Sequence, residues 1–120
     1  MTEERIKAGR QGEEMIVQHL VEKGCSILDR NVRYKTGEID IIADDDGVLC
    51  FVEVRTREDT ELGHPAETVT GQKKNRIRRA AQMYLMKNRI DDRAMRFDVA
   101  TIIWNPRPDE EMLEYFENAF

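Results

Sequence analysis

Apolar positions along the chain switch between a helical and a strand period, and the switches mark out the elements. Ile6, Gly9, Glu13, Ile16, Val17, Leu20 and Val21 recur at helical spacing over residues 3–23, and Gly24 is a natural helix-ending residue. Residues 26–34 have mixed strand character and stop at the turn signal Lys35-Thr36-Gly37. A β-branched run over 38–43, the tight-turn sequence Asp44-Asp45-Asp46-Gly47 and the clear strand 48–57 together predict an antiparallel hairpin. Gly63-His64-Pro65 forms a loop, with Pro65 near the start of a second long helix that runs to about Asn88. The apolar face of that helix is Val69, Ile77, Ala80, Ala81, Tyr84 and Leu85. A strand over 95–104 follows, Asn105-Pro106-Arg107-Pro108 breaks it, and a weak element spans 112–116. Helix, three strands, helix, then one or two strands is the order of an α/β sandwich around a mixed sheet.

Four polar residues sit where this pattern calls for apolar ones. Within 48–57, Val48, Cys50, Val52 and Val54 share one face, and Leu49, Phe51, Glu53 and Arg55 share the other. The second face begins as an inward one, yet two charges follow, and a buried charge needs a partner or a metal. Asp40 lies between Ile39 and Ile41 on the neighbouring strand, and the hairpin brings it within a residue pair or two of Phe51 and Glu53. Two carboxylates that meet in this way repel each other, and a hard divalent cation such as magnesium relieves the cost. Such an ion also holds a phosphate and activates water for attack at phosphorus. Glu13 falls on the apolar stripe of the first helix and should face the sheet, with Gly9 and Gly12 small enough to admit a ligand backbone. The acidic turn is not a calcium loop: the first ligand position falls on Ile42, and no closing Glu follows at the right spacing.

Composition narrows the class further. The chain has 120 residues, enough for one domain over 1–120, with 40% hydrophobic and 36% charged residues. Cys25 and Cys50 lie far apart in apolar runs, which reads as two small buried residues in a reducing compartment rather than a zinc site. The opening Met1-Thr2-Glu3-Glu4-Arg5 lacks the apolar stretch of a signal peptide, and no window reaches the length of a membrane span, so a cytoplasmic protein is expected. Net charge is −5, which argues against whole-surface nucleic-acid binding. The charge is uneven, however. Lys73, Lys74, Arg76, Arg78 and Arg79 place five cations in seven residues, whereas 108–120 is an acidic tail.

A resemblance then becomes specific. Gly12-Glu13, Arg30-Asn31-Val32-Arg33, Gly37-Glu38-Ile39-Asp40-Ile41-Ile42-Ala43, Phe51-Val52-Glu53-Val54-Arg55-Thr56-Arg57, Gly63 with Pro65, Lys73 and Arg96-Phe97-Asp98-Val99 closely resemble the YraN-like family of bacterial proteins. The likeness covers residues 8–103. It implies a restriction-endonuclease-like three-layer sandwich in the order αβββαβ, similar to archaeal Holliday-junction resolvases and other nucleases with an Asp…Glu-x-Lys site. It further implies Mg2+ or Mn2+ held by Asp40 and Glu53, with Glu13 as an auxiliary acid. The superfamily pattern ends in Lys, and here Arg55 stands two residues after Glu53. An arginine stays protonated and cannot be a general base, but it can orient water or clamp a phosphate bidentately. Lys73 and His64 are the alternative proton carriers.

The function expected is a metal-dependent DNA endonuclease, acting on branched or structured DNA, with catalytic Glu13, Asp40, Glu53 and Arg55. Arg57, Lys73, Lys74, Arg76 and Arg78 would contact nucleic acid. A homodimer is the expected form for symmetric cutting of two strands. The competing reading is a non-catalytic nucleic-acid-binding protein that keeps the fold. A weaker one is an interaction protein whose acidic tail docks a partner. On the bland side, Asp40 and Glu53 are solvated edge charges, Glu13 pairs with Arg10 or Arg33, and the basic run is an exposed helix face.

Overall fold

The computed structural model describes residues 3–120, so the first two positions of the charged opening lie outside it. Helix α1 (Glu3–Glu22) leads into strands β1 (Ser26–Tyr34), β2 (Gly37–Asp45) and β3 (Val48–Arg57). Helix α2 (Gly71–Lys87) then connects to β4 (Met95–Ile103) and β5 (Leu113–Phe116). The five strands form one sheet in chain order, antiparallel throughout except for the parallel pair β3 and β4. A parallel pair needs a crossover, and α2 supplies it.

The β2–β3 hairpin turns on two residues, Asp46 and Gly47, both with positive φ (49° and 92°), the conformation that matches the twist of the flanking strands. The turn is therefore shorter than the acidic run suggests. Asp44 and Asp45 belong to β2, where Asp44 pairs with Arg93 and Asp45 with Arg96.

Each face of the sheet carries its own core. Ile16 and Leu20 of α1 pack on Ile41, Cys50, Val52, Ala100 and Ile102, while Ile77, Ala80, Ala81 and Tyr84 of α2 pack on Ile42, Leu49 and Phe51. The strand alternation marks one face of β3 as inward, yet both are. A sheet covered on both sides wants continuous apolar runs in its central strands, which Leu49-Cys50-Phe51-Val52 and Val99-Ala100 provide. Cys25 and Cys50 are free and buried, and burial pushes the Cys50 thiol up to about 12.

Two boundaries differ from the pattern in the sequence. Pro65–Thr68 is a separate 3-10 turn, and α2 begins only at Gly71, where the Thr70 hydroxyl accepts the Lys73 N–H at 3.2 Å. Proline suits the start of either helix type, so the spacing alone does not separate them. The acidic stretch after Pro108 also folds back onto the domain. β5 pairs with β4, Thr60 donates to Glu110, Glu114 meets His64 Nε2 at 3.2 Å, and Glu117 reaches Arg96. Among the described residues no helix is long and apolar enough to cross a membrane.

Candidate functional site

The site begins where the hairpin comes apart. Pairing of β2 with β3 runs from Asp45 opposite Val48 to Ile41 opposite Val52 and stops. The next pair in register would set Asp40 against Glu53. Instead the Asp40 side chain takes over the backbone's role, its Oδ2 accepting the Val54 N–H at 2.8 Å. The alternation of β2 slips at the same place, since Ile41 joins the α1-side core while Ile39 and Ile42 both join the α2-side core.

This fork brings the carboxyl groups of Asp40 and Glu53 together. Glu53 is only 6% exposed. Burial, followed by hydrogen bonding to Asp40 and the repulsion of its charge, raises the Glu53 pKa to about 9, and Lys73 and Arg55 offset only part of that. Lys73 Nζ stands 3.7 Å from Glu53 Oε2, reaching across from the first turn of α2.

The remaining residues form an open cleft of about 790 Å³ around the pair. Arg55 lines it and is braced from behind: Nη2 donates to the Thr68 carbonyl at 3.1 Å, which ties the strand to the 3-10 turn. Its Nε is buried and has no hydrogen-bond partner among the described residues. Glu13 lines the same cleft but is committed elsewhere. Its Oε1 accepts from Asn31 Nδ2 at 3.0 Å and from Arg30 Nη2 at 3.3 Å. The partner is thus Arg30 rather than Arg10 or Arg33. Arg30 also meets Glu14 at 2.7 Å, and these hydrogen bonds raise its pKa. Asn31 holds a φ of 52° within β1, a conformation Asn tolerates better than most residues.

The two glycines of α1 part ways. Gly9 has open space about it and lines the cleft. Gly12 does not admit a ligand: a Cβ there would lie 2.6 Å from Thr56 Cγ2, so the residue lets the helix close on the sheet.

The basic run divides in the same way. Lys73 lines the cleft, and Arg76 lines a smaller pocket beside it. Lys74 and Arg78 lie instead over the ring of Phe120, at 5.8 and 5.3 Å from its centroid. Arg57 sits at the end of β3 opposite Ile103, beyond Thr56, where the cleft lining ends on that strand. His64 caps the 3-10 turn, its Nδ1 accepting the Ala66 N–H, and pairs with Glu114 outside the cleft. The sequence pattern does not single out Arg30, Asn31 or Thr68 as parts of a site. Their role depends on contacts between elements, and only the positive-φ tolerance of Asn31 leaves a local trace.

The donor set suits one kind of ion. No group of three or more His, Cys, Asp or Glu side chains placed to hold a metal occurs among the described residues. Two carboxylates in contact within an open cleft match magnesium, which keeps several waters and binds through one or two carboxylates plus substrate phosphates. They do not match zinc or calcium, which want more protein ligands.

The family profile described as "Uncharacterised protein family UPF0102" matches residues 12–102. A "UPF0102 protein" of Chlorobium phaeobacteroides (strain BS1) is 48% identical over 116 residues, covering 93% of this chain and 92% of that one. One of Syntrophotalea carbinolica is 43% identical over 120 residues, covering 100% and 96%. One of Pelotomaculum thermopropionicum is 42% identical over 120 residues, with both chains covered completely.

Proposed function

We propose a function for a chain that belongs to the uncharacterised protein family UPF0102, the YraN-like proteins: a metal-dependent DNA endonuclease of restriction-endonuclease-like layout, acting on branched or otherwise structured DNA. The observation that carries this reading is the contact of Asp40 with Glu53 at the strand fork, deep in a cleft rimmed by cations. A protein that only needed to fold would not keep two facing acids in place of an apolar pair. Without a metal the pair avoids two facing charges by holding on to a proton, and a hard cation that displaces this proton relieves the same repulsion.

Asp40 and Glu53 would hold Mg2+ or Mn2+, which when bound supplies Lewis-acid activation of water and neutralises charge on the phosphate. Arg55 serves as an electrostatic clamp. Its guanidinium cannot surrender a proton, but it is a fixed positive charge that lines the cleft and acts on Glu53, which suits it to a phosphate. Lys73 is the ammonium that lines the cleft, and it stands against Glu53. Glu13 positions rather than reacts, fixing Arg30 and Asn31 on the opposite wall.

A nuclease panel of linear, nicked, flapped and four-way DNA, run with manganese and with EDTA, tests the reading. Cleavage should need the metal and be lost in Asp40→Ala and Glu53→Ala while DNA binding survives. Equal activity in those variants would sink it. The attachment of Arg55 to the Thr68 carbonyl favours a second reading, a binding protein that has lost catalysis. Titration calorimetry with manganese separates the two, since a disused site has no carboxylate-dependent metal affinity.

A further inference from the structure

A second pocket, of about 280 Å³, adjoins the carboxylate cleft and shares Arg33, Glu38 and Lys73 with it. One wall is the turn joining β1 to β2, and the other is the start of α2. Four cations line it, Arg33, Lys35, Lys73 and Arg76, against the one carboxylate of Glu38, which pairs with Arg33 at 3.4 Å. In a chain of net charge −5 this is a concentration of positive charge at one spot.

The pocket is built on a backbone contact. A Cβ on Gly37 would lie 2.7 Å from the Arg76 carbonyl oxygen and 3.1 Å from its carbonyl carbon, so glycine is what lets the turn rest against the helix. That contact holds Arg33 at the end of β1 and Lys35 of the turn beside Lys73 and Arg76 of the helix. Like charges assembled in this way repel, and an anion between them relieves the cost. Lys74 and Arg78, on the same helix, are already engaged over Phe120. The basic helix therefore offers one face to a ligand and the other to its own aromatic residue.

We propose that this pocket binds a backbone phosphate of the nucleic-acid strand whose scissile phosphodiester reaches Asp40 and Glu53, with Lys73 shared between the two positions. The proposal rests on the nuclease reading and names the strand's path: out of the carboxylate cleft and between the β1–β2 turn and α2.

Fluorescence anisotropy of labelled single-stranded and duplex DNA, with calcium replacing magnesium and over a range of salt, tests it. Arg33→Ala/Lys35→Ala should weaken binding by about tenfold at low salt and reduce the slope of log affinity against log salt by about one to two. Gly37→Ala should weaken binding although no charge is removed, with its melting temperature measured alongside. Lys74→Ala/Arg78→Ala should lose less than the turn variant. The proposal falls if the turn variant binds like wild type, or if the Lys74 and Arg78 pair costs more. It also falls if inorganic phosphate or a mononucleotide displaces the labelled DNA as effectively as unlabelled strand, which would mark a small-anion pocket. Wild type that binds through these residues but never cleaves overturns the nuclease reading and leaves the pocket standing. Wild type that cleaves while the turn variant binds normally does the reverse. Failure of wild type to bind either DNA overturns both.

Discussion

Two buried acids lie on adjacent strands and on opposite faces of the sheet, and they are treated in opposite ways. Asp98 on β4 is fully buried, and every one of its needs is met by the chain. Arg96 Nε donates to both of its oxygens at 3.1 and 3.0 Å, the Tyr115 hydroxyl donates at 2.6 Å, and the Asn118 N–H donates at 3.0 Å. Arg96 continues outward to Asp45 and Glu117. Glu53, one strand away and nearly as buried, meets another carboxyl and an ammonium at 3.7 Å. The difference separates structure from chemistry. A carboxylate saturated by donors is a fastener, here joining β5 and the residues after it to β4. A carboxylate set against its own kind carries a cost that no donor of the chain removes, and under the proposed function a metal ion would relieve it.

Removing Asp98 should have the largest effect on stability. Asp98→Ala leaves the Arg96 guanidinium, itself largely buried, without its main partner, and should destabilise by about 3–5 kcal/mol with a matching fall in melting temperature. Glu53→Gln should do the opposite, folding at least as well as wild type while losing cleavage. If both substitutions destabilise alike, the comparison fails.

Manganese sharpens the contrast next. At a hundredfold excess over its dissociation constant it should add about 2.7 kcal/mol to wild-type stability, seen as a rise in melting temperature, and add nothing to Glu53→Gln. Removal of the hydrogen bond in Tyr115→Phe should follow, at about 1.5–3 kcal/mol, because the acceptor is charged. Burial, and then the Asp98 carboxylate, raises the pKa of that phenol well above its ordinary value, so it remains a donor throughout the working range.

The last test is a slope rather than a step. The Glu53 pKa is raised on folding from 4.5 to about 9, so the folded state prefers the protonated acid. The Glu53 contribution to metal-free stability should therefore be full at low pH and be lost as pH climbs from 4.5 towards 9, levelling off above. Denaturant melts at stepped pH in EDTA should show that decline, and Glu53→Gln should flatten it. Wild type that gains stability relative to Glu53→Gln over this range would break the assignment.

The elements were largely legible because their signals are local. Gly24 ends α1, Asp46-Gly47 turns the hairpin, and the helical spacing from Ile16 to Leu20 marks the buried stripe. The 3-10 turn at Pro65–Thr68 was not, since proline opens both helix types alike. Within the site, Asp40 and Glu53 stand out as charges inside apolar strands, which any reader of the alternation meets. Glu13 is also visible as a polar residue on an apolar stripe, but its engagement with Arg30 and Asn31 depends on the packing of α1 against β1.

By itself, then, the sequence determined the order of elements, the hairpin and the identity of the two misplaced acids, because periodicity and turn chemistry act over a few residues. It also determined that a basic run exists. Only the tertiary structure decided which way each charge faces. It turned Lys73 and Arg76 to the cleft and its neighbouring pocket, put Lys74 and Arg78 over the ring of Phe120, and set donors around Asp98 but a second acid against Glu53. A charge's partner comes from distant elements brought together by packing, and no local pattern carries that information.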